Sequence, residues 1–474
     1  MAAGMKQQQA LRAALALSML LASLGTSIAN VGLPALVRAF GASFGQVQWV
    51  VLAYLLTLTT LIVGVGRLAD LNGRRRLLLA GIGLFTLASV LCGLAPALPW
   101  LIAARALQGL GAAAMMGLTM SFAAGAAPKG ATGSVMGLLG SMSAVGTALG
   151  PTLGGVLLGV AGWRALFFIC VPLGMATCLL AWRGLPADPA RAAGQGIGVN
   201  LAGFNLAGFD LAGSVLLALT LGAYALAMTG GRFGLPNLVL LLGAGVGMLL
   251  FVRAADTRPS PLIPLALLRD RLLGARLGTT ALVATVMMAT LVVGPFYLAR
   301  ALGLAPAAVG LVLSAGPLAA ALCGVPAGRM VDRAGSARVT VAGVLLMLAG
   351  SVALALLPAA SGVAGYLAPL IVVTAGYALF QTANNTALMD AAQAGQRALV
   401  SSMLNLARNL GLLSGASLMG AVFASGAAVA TAAPALVAAG MRRTFALAAV
   451  LLLVALLLLL LVECRADAAQ KQQS

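Results

Sequence analysis

The sequence predicts an all-α integral membrane protein with 14 transmembrane helices: two six-helix bundles plus two extra central helices. Three observations predict it. The 474 residues are 62% hydrophobic and 8% charged, against about 25% charged in a soluble domain. So little charge cannot cover a surface in water, and lipid is the fitting solvent. Apolar windows near the roughly 20 residues that a bilayer requires recur fourteen times. A charged turn in the first half repeats in the second at a constant offset.

In chain order the first window, 12–33, follows Lys6 and Arg12 and runs on into Thr26-Ser27-Ile28-Ala29-Asn30-Val31. That continuation argues for a retained helix rather than a cleaved signal. Windows at 46–67, 77–96, 99–124, 134–159 and 165–183 complete a first bundle over 1–185. The segment 186–275 holds cytoplasmic connections and the two extra helices, 210–229 and 236–253. At their start Asn200-Leu201-Ala202-Gly203-Phe204 repeats from Asn205, and Asp210-Leu211-Ala212-Gly213-Ser214 is a third, altered copy. A period of five is too short for a solenoid, so this is local duplication in a tolerant loop. The second bundle, 276–474, takes windows at 276–299, 305–328, 338–358, 363–388, 400–425 and 444–463, the last nearly all Leu, Val and Ala.

The net charge is +19 with only nine acidic residues. Arg74-Arg75-Arg76, Lys129, Arg183 and Arg191, the stretch 253–276, Arg333 and Arg338, and Arg397 fall in alternate loops. The positive-inside rule assigns those loops, and with an even helix number both termini, to the cytoplasm of a bacterial-type inner (plasma) membrane. The opposite loops carry Arg38, Arg164, Arg232, Arg300 and the Arg442-Arg443 pair. No basic patch is interleaved with aromatics, which excludes nucleic acid as partner. Five Cys without a CxxC pair, and no His, exclude a metal site and a disulfide framework. There is no nucleophile–base pair and no nucleotide loop, so neither an enzyme nor an ATP-driven pump is expected, and no cofactor.

The repeated turn runs from Gly66 through Asp70, Gly73, Arg74 and Arg75 to Arg76, and again from Gly328 through Asp332 and Gly335 to Arg338, an offset of 328 − 66 = 262 residues. Two homologous halves around a midplane site are a transporter pattern. The Gly66–Arg76 loop resembles the signature between helices 2 and 3 of the major facilitator superfamily, with Leu71 where a basic residue is common. Arg105-Ala106-Leu107-Gln108-Gly109 is similar to that family's fourth-helix motif. Gly146-Thr147-Ala148-Leu149-Gly150-Pro151-Thr152-Leu153-Gly154-Gly155 resembles its antiporter motif. Trp163-Arg164, the string Val171-Pro172-Leu173-Gly174, and Ser402, Asn405, Arg408, Asn409 and Gly411 resemble the fourteen-helix drug:proton antiporter branch, the EmrB/QacA type. The resemblance implies the major facilitator fold and a conformational latch at the repeated turn. It also implies efflux by alternating access.

One position departs. The branch usually carries an Asp in the first helix, where this chain has Gly25. With no His and no acid at membrane depth, proton coupling is either lost or runs through Asp70, Asp332 or Asp390 at helix ends. A cavity with Arg105 and no acid favours a small amphiphilic substrate that is neutral or anionic. The expected cavity lining is Asn30, Gln48, Tyr54, Arg105, Gln108, Gln381, Asn384, Asn385, Asn405 and Arg408. The leading expectation is secondary active export. The alternatives are an organic-anion importer or uniporter, and a non-transporting sensor on the same fold. The sequence names neither a substrate nor a periplasmic partner.

Overall fold

A computed structural model describes residues 2–62, 64–126, 132–186, 188, 200–201, 204–205, 210–229, 234–257, 270–358, 361–391, 397–425 and 433–471. We label the long helices in chain order. The first six are α1 (Ala2–Phe40), α2 (Phe44–Ile62), α3 (Arg74–Gly93), α4 (Leu98–Ala126), α5 (Thr132–Ala161) and α6 (Ala165–Gly184). The middle pair is α7 (Leu211–Thr229) and α8 (Leu235–Thr257). The last six are α9 (Arg271–Phe296), α10 (Pro306–Ala334), α11 (Ser336–Ala355), α12 (Gly362–Ala391), α13 (Arg397–Ser414) and α14 (Pro434–Lys471). Among the described residues thirteen helices are long and apolar enough to span a membrane. The remaining long helix, α5, is 30 residues long, rich in Gly, and carries a shorter apolar run, Val145–Ala161. The only strands among the described residues are the two-residue pair Asn200–Leu201 and Phe204–Asn205, inside the duplicated loop.

Several boundaries differ from the windows. The 46–67 window is divided: α2 ends at Ile62 and a separate helix, Val65–Asn72, follows. Helix α9 begins before 276. Asp270 caps it, its carboxylate accepting from the Leu272 amide at 2.9 Å, so Arg276 lies inside the helix and not in a loop. Near the far end of α9 the chain passes through a π turn, Tyr297–Ala301, and α13 continues through another, Gly415–Met419, into Gly420–Ala424.

The repeat is visible in the backbone. Gly73 (φ 90°) and Gly335 (φ 82°) both stand between a helix and the start of the next, and 335 − 73 = 262, the offset of the sequence repeat. That region of φ costs Gly nothing and strains other residues.

Helix α1 packs on α5 and α6, α4 on α2 and α3, α10 and α11 on α12, and α9 and α14 on one another. Helices α7 and α8 pair with each other, and α7 leans on α2. Trp49 donates its indole N–H to Thr229 Oγ1 there, at 3.0 Å. Burial follows from these positions. In α1 and α9, 78% of the spanning window is buried, and in α8 17%. Leu235, Leu242 and Leu249 of α8 are exposed, an apolar face that only lipid satisfies.

The halves meet along α5–α10, α2–α13 and α1–α9. Phe44, Phe296 and Phe423 close one end of this seam, with ring centroids 4.9 to 6.0 Å apart. The opposite end carries Gly73 and Gly335.

Candidate functional site

Arg105 is the largest fully buried side chain, with 0% exposure. Small residues bring it in. Gly109, one turn on, lies against the Tyr54 carbonyl, and Gly111 lies 2.6 Å, at a notional Cβ, from the Gly81 carbonyl and Phe85 amide. These contacts bring α4 close to α2 and α3. Arg105 Nε then donates to Val50 O at 2.8 Å and Nη2 to Gly25 O at 3.0 Å. Nη1 donates to Gln108 Oε1 at 2.5 Å, and Gln108 Nε2 donates to Ser89 Oγ at 2.7 Å. The Tyr54 ring covers the guanidinium at 4.3 Å, while the Tyr54 hydroxyl donates to Ala22 O at 2.8 Å. One side chain therefore joins α4 to α1 and α2, and through Gln108 to α3. The charge is met by carbonyl dipoles and a ring face.

The Gly25 position is filled from outside. A Cβ there would stand 3.1 Å from the Phe85 ring and 3.2 Å from the Tyr54 hydroxyl. The side chains of Phe85 and Tyr54 thus pack closely against Gly25 and would have to give by a few tenths of an ångström for any larger residue.

The other expected cavity residues divide into two groups. Asn30 is fully buried, its Nδ2 donates to Thr26 O at 2.9 Å, and its Oδ1 has no partner. Gln48 is committed to the seam, donating to Ala416 O. Asn384 is buried against α9, donating to Thr280 Oγ1 at 2.9 Å and accepting from Arg276 Nη1 at 3.5 Å. Gln381, Asn385, Asn405 and Arg408 are only half-buried. Gln381 donates to the Tyr377 hydroxyl at 3.4 Å, and Arg408 Nε is buried without a partner. Sequence reasoning missed Arg276, 8% exposed. The signal for it was Asp270, a capping residue that starts α9 early.

At the repeated turn, the side chains of Gly66 and Asp70 lie outside the described residues. Asp188, from the loop after α6, supplies the clasp there. Its carboxylate accepts from the backbone amides of Arg75 at 2.9 Å and Arg76 at 3.1 Å, at the N-terminus of α3. It presses against Gly73, where any Cβ would collide with it. Arg75 Nη2 donates to Trp182 O at 2.7 Å, and Arg74 is exposed. Among the described residues the second copy has the turn without the clasp: Gly328 and Gly335 have none of them within 4 Å, and Asp332 is exposed.

The glycines of α5 use two faces. Gly146 lies against Leu20 O and Gly150 against Ser27, both in α1, and Gly154 faces Ile28 at 3.4 Å. Gly155, a further 100° round, faces α10: its notional Cβ is 2.7 Å from Gly310 Cα and 2.8 Å from Pro306 O. The Pro151 carbonyl stands 2.5 Å from a notional Cβ on Gly310. Thr152 and Ser314 share a hydrogen bond of 2.5 Å across the seam.

Two six-helix halves in lipid, meeting at a polar interior, define a membrane transporter. The profile of the Major Facilitator Superfamily matches residues 15–416, and the chain belongs to that family. It is 33% identical over 403 residues to the uncharacterized transporter YebQ of Escherichia coli, covering 84% of this chain and 85% of that one. It is 31% identical to the multidrug resistance protein Stp of Mycobacterium tuberculosis (84% and 72% covered), and 26% to the riboflavin transporter RibZ of Clostridioides difficile (89% of each). Among solved structures it resembles a bacterial homolog of the human lysosomal transporter Spinster, inward-facing and unoccupied. The TM-score is 0.66 at 17% identity, with 96% of each chain covered.

Proposed function

We propose that this transporter exports small amphiphilic compounds, neutral or anionic, by alternating access of the halves 1–185 and 276–474, as a member of the fourteen-helix drug:proton antiporter branch. The observation that carries the reading is the buried Arg105, whose polar contacts are all uncharged and beside which Gly25 supplies no acid. A cationic cargo approaching that charge is repelled, and a neutral or anionic one is not. The antiporter-type string Gly146–Gly155 at the seam and the relatives named for multidrug resistance support export. Asn30 Oδ1 and Arg408 Nε, buried and unspent, are the atoms that meet cargo. With the Arg-rich loops in the cytoplasm, the Phe44 end faces outward. The turns at Gly73 and Gly335 then act as the latch on the inner side.

Coupling to protons has no carboxylate or His at mid-membrane to run through. In this reading it uses Asp70, Asp332 or Asp390 at the helix ends. The test is reconstitution in liposomes with an imposed pH gradient, following neutral, anionic and cationic fluorescent amphiphiles. The reading expects gradient-driven efflux of the first two and loss of efflux in Arg105→Ala. Equal efflux of the cation, unchanged by Arg105→Ala, overturns it. The same guanidinium, unmatched by any acid, favours a second reading, an organic-anion importer, and the direction of transport in inside-out vesicles separates the two.

A further inference from the structure

The nine carboxylates of the chain share one end of the molecule. Asp70, Asp188, Asp210, Asp256, Asp270, Asp332, Asp390, Glu463 and Asp467 all fall on helix ends or loops at the Gly73 end. The Phe44 end has none, yet among its described residues it holds Arg38, Arg164, Arg300, Arg442 and Arg443. Arg on this side opposes the orientation signal, so each one there requires another reason. Arg164 has one, lying 4.4 Å over the Trp163 ring.

Arg38 and Arg300 converge on a cavity of about 260 Å³ between α1, α5, α9 and α10. Its walls are otherwise apolar, including Pro34, Leu158, Pro295 and Val309, and no acid lines it. Both halves of the protein contribute. Arg300 is placed by the π turn Tyr297–Ala301, where Leu302 N donates to Tyr297 O at 3.2 Å. Such turns insert one residue and re-aim those that follow.

We propose that this cavity is a second binding site, for an amphiphilic anion: a phosphate or carboxylate head held by Arg38 and Arg300, with a short apolar body between the prolines. Two guanidiniums on a surface without carboxylates attract such a head from a distance and fork onto its oxygens at contact. The head can come from a free amphiphile or from an anionic lipid. The site stands at the far end of the seam from the latch and does not depend on the direction of transport.

The test uses the full chain in phosphatidylcholine nanodiscs, titrated with octyl phosphate, octanol or octyltrimethylammonium, with the thermal unfolding midpoint and equilibrium binding as readouts. Octyl phosphate is expected to raise the midpoint saturably, and the other two are not. Joint Arg38→Gln and Arg300→Gln substitution is expected to weaken octyl phosphate by about tenfold or more, while Arg38→Lys with Arg300→Lys keeps most of the affinity. Octyl phosphate binding unchanged in the Gln pair overturns the site, as does octanol binding equally well. Phosphatidylglycerol nanodiscs distinguish the source. Competition with octyl phosphate that vanishes in the Gln pair assigns the site to a lipid head, and absence of competition assigns it to a free anion. Binding is read without transport, so failure here leaves the export reading standing.

Discussion

Arg105 was conspicuous in the sequence because a charge in mid-helix costs about 2.5–3.5 kcal/mol at the bilayer centre. Its partners were not, because the carbonyls of Gly25 and Val50 belong to the backbone and carry no residue signature. A Lys at this position has a single ammonium and cannot reach both carbonyls and Gln108 from one geometry. Arg105→Lys is therefore expected to leave a buried acceptor unpaired, at about 1–3 kcal/mol, read as a lower unfolding midpoint in detergent. Gly25→Asp is a sharper probe. Its Cβ would press on the Phe85 ring, which must give by a few tenths of an ångström, so the single variant is expected to lose stability. Gly25→Asp with Phe85→Leu is expected to recover, as a double-mutant cycle measures. Equal stability of the single and double variants contradicts that geometry. Asp188 was illegible for a different reason: a carboxylate in a loop beside prolines looks like any solvated charge, and only the fold brings it to α3.

At the scale of the element, helix α5 shows what a four-residue spacing conveys. The spacing of Gly146, Gly150 and Gly154 sets them on one face, but it does not say which neighbour meets that face. Gly155 lies off that face and holds the contact with α10. Gly155→Val places side-chain atoms where the Gly310 backbone now stands, and is expected to part the halves at the Phe44 end. The measurement is the rate at which a cysteine introduced as Phe423→Cys, in a background without native cysteines, reacts with an impermeant maleimide. Gly159→Val supplies the control, since nothing lies within 4 Å of Gly159. A rate that rises equally in both variants removes the seam explanation. Window boundaries were the least legible feature, because α1 and α14 extend polar ends beyond the bilayer-length run and Asp270 starts α9 early.

For the whole molecule, the two halves and their offset were plain in the repeated turn, and the backbone repeats it at Gly73 and Gly335. The placement of α7 and α8 was not, since a helix apolar on every side gives no direction. The halves differ in one respect that the repeat concealed: the carboxylate clasp is present at the first turn, and among the described residues none stands beside Gly335. Asp188→Asn keeps the size but removes the anion from the α3 N-terminus, at about 0.3–1 kcal/mol. The expected result is a small loss of stability with a change in transport rate, measured on the same reconstituted sample. An unchanged rate would mean that the clasp fixes the first half without timing the motion.

The clasp also sets an order of events during synthesis. Arg75 leaves the ribosome 113 residues ahead of Asp188, roughly 6–23 s at ordinary elongation rates. Through that interval the N-terminus of α3 has its Arg cluster but lacks its anion. Asp188 is itself made 271 − 188 = 83 residues before α9 begins at Arg271, so both partners of the clasp exist while the second half is still being translated.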